Sequence, residues 1–201
     1  MTFLQTLVSS NGKNLITGPR PSGYGWFEEW VDFSDTDATE QAIDRIQSKA
    51  NSVYFALGAF NKGVDHLYSR KQVNCEELKA FWFDIDAGEA KFAKHGEGKV
   101  YRNQQDAFVA LNEFVEWSGL PRPTYIVSSG DGLHVYWALD IPLKKDMWHK
   151  VALLLKAAHT AQGLLVDPAC TADSASVLRP IGTYHTTGKV VTILETNAII
   201  S

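Results

Sequence analysis

Cysteine is scarce: Cys75 and Cys170 are the only two in 201 residues. Two cysteines build no disulfide framework, and without a CxxC pair they give no reason to expect a structural zinc site. Long apolar runs are missing as well. Nothing approaches the ~18–20 residues that a membrane span needs, and the opening MTFLQTLVSSNGKN has neither the basic start nor the apolar stretch of a signal peptide. The expectation is a protein of the bacterial or host-cell cytoplasm with no membrane partner. Surplus positive charge is also lacking, since 19 Lys and Arg against 23 Asp and Glu leave a net charge of −4. That excludes a protein that coats nucleic acid through bulk charge. It leaves room for one that holds nucleic acid locally beside an acidic metal site. Repeats and low-complexity tracts are absent too. What remains is ordinary globular material, 45% hydrophobic and 11% aromatic with six Trp, enough to fill a core.

The N-terminal part carries few regular signals. Residues 28–44 hold seven acids and no base, which reads as a solvated helix face with acids at a helix start. Asp35 or Thr36 can cap a helix with Ala42, Ile43 and Ile46 inward. VYFALGAF (53–60) reads as one buried strand, and 61–79 as polar and irregular.

From residue 80 the pattern becomes regular. AFWFDID (80–86) predicts a strand ending in acids, and residues 87–102 a long loop. The stripe Ala107, Phe108, Leu111, Phe114, Val115, stopped by Gly119 and Pro121, predicts a helix over 103–119. TYIVSS (124–129), a GDG turn and LHVYWAL (133–139) predict a hairpin. A helix over 143–162 follows, with Met147, Val151, Leu154, Leu155 and Ala158 inward; LLVD (164–167) or KVVTIL (189–194) supplies a last strand. The expected class is α+β: an RRM-like β-α-β-β-α-β catalytic subdomain at 80–201, packed with a smaller α/β module at 1–79.

In that arrangement the first strand lies between the third and fourth, so its end meets the start of the third and the re-entry of the chain after the second helix. Asp84, Asp86, His134 and Asp167 then gather at one sheet end. Alternation puts Trp82, Asp84 and Asp86 on one face and Phe81, Phe83 and Ile85 on the other. The apolar set packs on the helices, and the acidic face turns toward the N-terminal module. Carboxylates two apart on a strand suit oxygen-binding Mg²⁺ or Mn²⁺. With a third carboxylate, two ions ~3.5–4 Å apart can be held, the spacing of phosphoryl and nucleotidyl transfer. SSGDGLH (128–134) reads as a hairpin turn whose small residues let phosphates approach backbone N–H groups, with His134 donating. The irregular 166–189 stretch holds Asp173, Arg179, Thr183, His185 and Lys189; Arg179 and Lys189 are candidate triphosphate contacts.

On these residues the chain resembles the archaeo-eukaryotic primase superfamily, in particular the primase-polymerase domains of phages and mobile elements. The first motif, hhhDhD, is FWFDID (81–86); the second, of the Ser-Gly-x-Gly-x-His form, is SGDGLH (129–134); the third, a hydrophobic residue then Asp, is VD (166–167). RPIGT (179–183), with Ile181 between proline and glycine, and the following Lys189 match a downstream signature. The resemblance covers about residues 50–190. It implies a template-directed nucleotidyltransferase, a DNA primase or polymerase joining NTPs or dNTPs on single-stranded DNA with two Mg²⁺ or Mn²⁺ ions, with a fused or separate helicase as a further partner. By motif match, Asp84, Asp86 and Asp167 are the catalytic metal ligands and His134 binds phosphate, with Ser129, Arg179 and Lys189 as further nucleotide contacts. Template contacts are expected from Arg70, Lys71, Lys91, Lys94, Lys99 and Arg102. Eight bases against seven acids over 62–102 form no dense patch, so weak, salt-sensitive DNA binding is expected.

Two other readings compete. A non-catalytic RRM-like module would stack bases on Trp82 and Tyr136. A rolling-circle initiator shares the β-α-β-β-α-β plan but needs an H-x-H pair, which this sequence lacks.

Overall fold

The polar start of the chain folds because its caps are local. Thr2 and Gln5 close a capping box on α1 (Phe3–Leu7). The side chain of Asp35 accepts from Ala38 N–H at 2.9 Å and starts α2 (Thr36–Gln47), whose Ala42 and Ile46 are buried as predicted. Between these helices β1 (Asn14–Pro19) and β2 (Trp26–Val31) form an antiparallel hairpin. The structure, a computed structural model, describes residues 2–61 and 70–200.

The run 53–60 is not one strand. It is β3 (Tyr54–Ala56) and β4 (Gly58–Phe60), and at Leu57 the chain passes from one sheet to the other. A continuous apolar octapeptide is what two buried strands in different sheets also look like. Of the stretch expected to be irregular, residues 62–69 lie outside the described residues, while Cys75 already opens β5 (Cys75–Ile85). The break expected between residues 79 and 80 therefore falls inside a strand.

Residues 87–102, expected as a loop, contain α3 (Glu89–His95). This helix buries none of its residues, so it has no apolar stripe to announce it. Then come α4 (Gln104–Ser118), β6 (Tyr125–Ser128), β7 (Leu133–Lys144) and α5 (Lys145–Gln162). The inner face of α5 is rotated from the expected one. Trp148, Ala152, Leu155 and His159 are buried, whereas Met147 and Leu154 are 54% and 70% exposed. The chain closes with β8 (Val177–Leu178) and β9 (Thr192–Thr196); LLVD forms no strand.

Two antiparallel sheets result, ordered β2-β1-β3-β8 and β4-β5-β7-β6-β9. The last strand thus pairs with β6 at the far edge, not with β5 as the expected topology required. Beside β5 the slot is taken first by β4 and then by other groups. Trp148 Nε1–H donates to the Ala80 carbonyl at 2.8 Å, Trp82 Nε1–H to the Cys170 carbonyl at 3.0 Å, and Asp167 N–H to the Asp84 carbonyl at 2.8 Å. The first and third of these bonds spare β5 carbonyls at Ala80 and Asp84 from standing unpaired.

Face alternation runs as the sequence implies. Phe81 stacks on Trp148, and Phe83 meets Phe114 and His159 of the two helices. The opposite face carries Trp82, Asp84, His134 and Tyr136, and Phe3 of α1 lies edge-on to Tyr136 with ring centres 5.6 Å apart. A single buried core spans both sheets. Among the described residues no helix is long and apolar enough to cross a membrane.

Candidate active site

The site lies where β5 ends. Antiparallel pairing sets Asp84 directly opposite His134 on β7, and Asp84 Oδ1 stands 3.8 Å from His134 Nε2. Asp167 reaches the same place through its backbone bond to Asp84. Burial first, then the neighbouring Asp86 and Asp167 carboxylates, push the Asp84 carboxyl up to about 7. Burial, with the positive fields of Arg179, Lys91 and His185, holds His134 down to about 3. The imidazole is neutral, so its approach to Asp84 is not an ion pair. His134 is 1% exposed and its Nδ1 has no partner among the described residues. Asp86 is bound by Lys91 of α3.

The hairpin between β6 and β7 is tied to this end by close approach. A Cβ on Gly132 would stand 2.2 Å from the Ile85 carbonyl oxygen. Both groups are backbone, so nothing can rotate away. Gly132→Ala is expected to cost about 1–3 kcal/mol by overpacking, read from the midpoint of chemical denaturation; an unchanged midpoint would show that the two strands are not locked here. Ser129, 7% exposed, donates its N–H to the Gly132 carbonyl at 3.0 Å, and Gln104 Nε2 bonds both that carbonyl and Ser128 Oγ. At Gly130, φ +115°, the His185 ring packs where a side chain would sit.

Arg179 and Lys189 occupy different positions. Arg179 follows β8 and donates from Nη2 to the Tyr54 hydroxyl at 2.9 Å; its Nε is buried without a partner among the described residues. Its charge acts on both Asp84 and His134. Lys189 binds Asp131 at 2.5 Å, near His185, whose Nδ1 is 3.8 Å from the same carboxylate. The Thr183 hydroxyl is turned inward onto the Pro180 carbonyl.

Two clefts flank the carboxylates. One of about 490 Å³ is lined by Gly88, Lys91, Arg102, Gly130, Asp131 and Lys189. The other, about 310 Å³, is lined by Asp86, His95, Lys99, Val166 and Asp167. Helix α3 supplies residues to the walls of both. Lys91 and Asp131 are therefore parts of the site that sequence reading assigned to the template and to a turn. The available signal was the spacing of Lys91, five residues after Asp86 on an unseen helix.

The donor set fits a hard divalent cation. The three carboxylates come from two segments, and Asp84 is raised first by burial and then by Asp86 and Asp167, a repulsion that a cation would relieve. Among the described residues no three His, Cys, Asp or Glu side chains already stand grouped for a metal ion, and Lys91 supplies the positive charge at Asp86. Without metal, the sign of the Asp84 shift gives a pH prediction. A carboxyl at about 7 in the fold and near 3.8 when unfolded costs stability as pH rises from 3.8 to 7. In chelator at pH 8, Asp84→Asn should melt above the parent, by roughly 2–4 °C for each kcal/mol relieved. The gap should close as the pH falls toward 4, and equal melting at pH 8 would contradict the assignment.

The stacking-module reading is overturned by burial. Trp82, against Trp148 and the Cys170 carbonyl, and Tyr136, against Phe3, are both 0% exposed, so neither offers a ring to a base.

This architecture, two antiparallel sheets with a carboxylate-bearing strand end, is shared with several solved domains. The chain is similar to the primase-polymerase domain of cyanophage S-2L, with a TM-score of 0.62 at 15% identity, covering 94% of this chain and 84% of that one. It is also similar to the catalytic domain of the primase RepB′ solved with initiator DNA (TM-score 0.57, 11% identity, 92% and 77% covered). A third likeness is to the polymerase domain of Mycobacterium tuberculosis ligase D solved with DNA (TM-score 0.52, 18% identity, 92% and 74% covered). No family model and no curated protein matches the sequence.

Proposed function

We propose that this chain is a template-directed nucleotidyltransferase, a primase or polymerase that joins NTPs or dNTPs on single-stranded DNA. The observation that carries the reading is the approach of Asp86 and Asp167 to Asp84 at one sheet end. The fold shared with primase and polymerase domains, two of them solved with DNA, supports it.

Asp84, Asp86 and Asp167 would hold two Mg²⁺ or Mn²⁺ ions, which supply activation of a 3′-hydroxyl and neutralisation of the departing pyrophosphate. Lys91 must release Asp86 for that carboxylate to serve. Neutral His134 has one ring N–H to donate to a phosphate oxygen, and its low pKa keeps it from competing as a cation. Arg179, with a spare Nε–H, and Lys189 bind triphosphate oxygens. Ser129 and the small residues around it shape the hairpin against which the phosphates lie.

The test is incubation with single-stranded DNA, labelled ATP or dATP, and Mg²⁺ or Mn²⁺. Metal-dependent incorporation is expected, and product without an added primer marks a primase. No incorporation with either metal and either nucleotide, with or without primer, rejects the reading.

A further inference from the structure

We propose that the tip of the β1–β2 hairpin is the landing surface of the template strand, with single-stranded DNA bases stacking on Tyr24 and Trp26. This rests on the nucleotidyltransferase reading and adds where the template lies. The tip, RPSGYGW (20–26), has one cation and no acid. Tyr24 is 86% exposed and Trp26 41% exposed, two large rings that fill no core.

These rings begin a line that reaches the carboxylates. Trp26 stands edge-on to Tyr54, with ring centres 5.7 Å apart, and the Arg70 guanidinium lies 5.9 Å from the Trp26 ring. Tyr54 is bonded by Arg179, whose guanidinium also stands 4.9 Å from the Tyr54 ring. Arg179 in turn acts on Asp84 and His134. Aromatic and cationic groups thus alternate from the hairpin to the site.

This line lies on the face of the sheet opposite α2. A side chain on Gly18 would meet Ile46 of α2, and Gly18 pairs with Phe27. Strand alternation puts Trp26 and Tyr54 on the other face. Among the described residues, charge there favours an anion: Arg70 and Arg179 outnumber Glu28, which sits near Arg70, while Arg20 lies over Phe27 on the α2 side of the tip. Rings beside guanidinium groups, with no built pocket, recognise the π-faces and phosphates of an unpaired strand irrespective of sequence. A duplex keeps its base faces stacked on one another and gains nothing from such rings.

The probe is a fluorescent oligothymidylate, read by anisotropy at low salt without metal. Tyr24→Ala is expected to weaken binding about tenfold, with Tyr24→Phe near the parent and duplex affinity unmoved. Adding Trp26→Ala should weaken it further, and thermal melting checks that the double variant is folded. Tyr24 is solvent-exposed, so its substitution alone keeps the test valid if Trp26→Ala unfolds the hairpin. Tyr24→Ala binding as tightly as the parent overturns the proposal, as does a parent that binds no single strand. Weakened binding in a chain that incorporates no nucleotide would keep this surface and reject the enzymatic reading. Incorporation by a chain whose Tyr24→Ala variant binds as the parent does would reject this surface alone.

Discussion

Replacing Asp84 and Asp86 together by alanine is expected to lower metal-dependent nucleotide incorporation by a factor on the order of 10³ or more. Ion-mediated charge stabilisation is worth several kcal/mol in the transition state, and each ~1.4 kcal/mol is a decade in rate. The usual objection to such a result, that the variant has unfolded, is answered by the electrostatics. Asp84 is disfavoured as an anion by burial and by Asp86 and Asp167. Removing two of the three charges relieves repulsion, so the double variant should melt no lower than the parent in chelator at pH 8. Lys91 loses its partner but is exposed enough to be rehydrated. Single-nucleotide incorporation rates with Mn²⁺, alongside a thermal melt, give both halves of the result. Activity within tenfold of the parent would mean that the carboxylates at this strand end do no chemistry.

Trp148→Ala is expected to have the largest effect on stability, about 3–5 kcal/mol, read by chemical denaturation. Trp148 is fully buried, stacks on Phe81 and Trp82 with ring centres 5.8 and 4.9 Å away, and bonds the Ala80 carbonyl. Alanine removes the packing and orphans that carbonyl on the stretch of β5 that β4 does not reach. Trp148→Phe separates the two losses. It keeps most of the volume and should cost about 1–3 kcal/mol, the price of an unpaired buried acceptor plus imperfect fit. If alanine and phenylalanine cost the same, the hydrogen bond rather than the packing carries the contribution. Because Asp84 lies four residues further along the same strand, the alanine variant should also incorporate nucleotide more slowly than its residual folded fraction accounts for.

How much of this was legible in the sequence depends on whether the signal was local. Helices α2 and α4 announce themselves by apolar stripes that meet the core, with a cap at Asp35 for the first and a stop at Gly119 for the second. The strand FWFDID and the glycine-flanked hairpin before His134 are equally local, and pairing then sets Asp84 opposite His134 without further information. Helix α3 was not legible because a polar segment between glycines carries no period, and with it went the position of Lys91. Nor could the stripe of α5 be read correctly, since Met147 and Leu154 look as apolar as the residues that are buried. The burial of Trp82 and Tyr136 depends on residues remote in sequence, Trp148 and Cys170 for the first and Phe3 for the second. Beside β5, Trp148 bonds the Ala80 carbonyl and Asp167 the Asp84 carbonyl, while β9 pairs with β6 at the outer edge, an arrangement no local pattern announces.

Strand β8 has only two residues, yet it closes the sheet begun by β1, β2 and β3. During synthesis on a ribosome, β3 waits with an open edge until residues 177 and 178, more than 120 positions further on, emerge. Contacts so remote along the chain slow folding. The first sheet is therefore among the last parts of the molecule to be finished, and Arg179 takes its place beside Tyr54 only at that moment. A nascent chain stalled before this point would carry its acidic strand without the arginine that faces it.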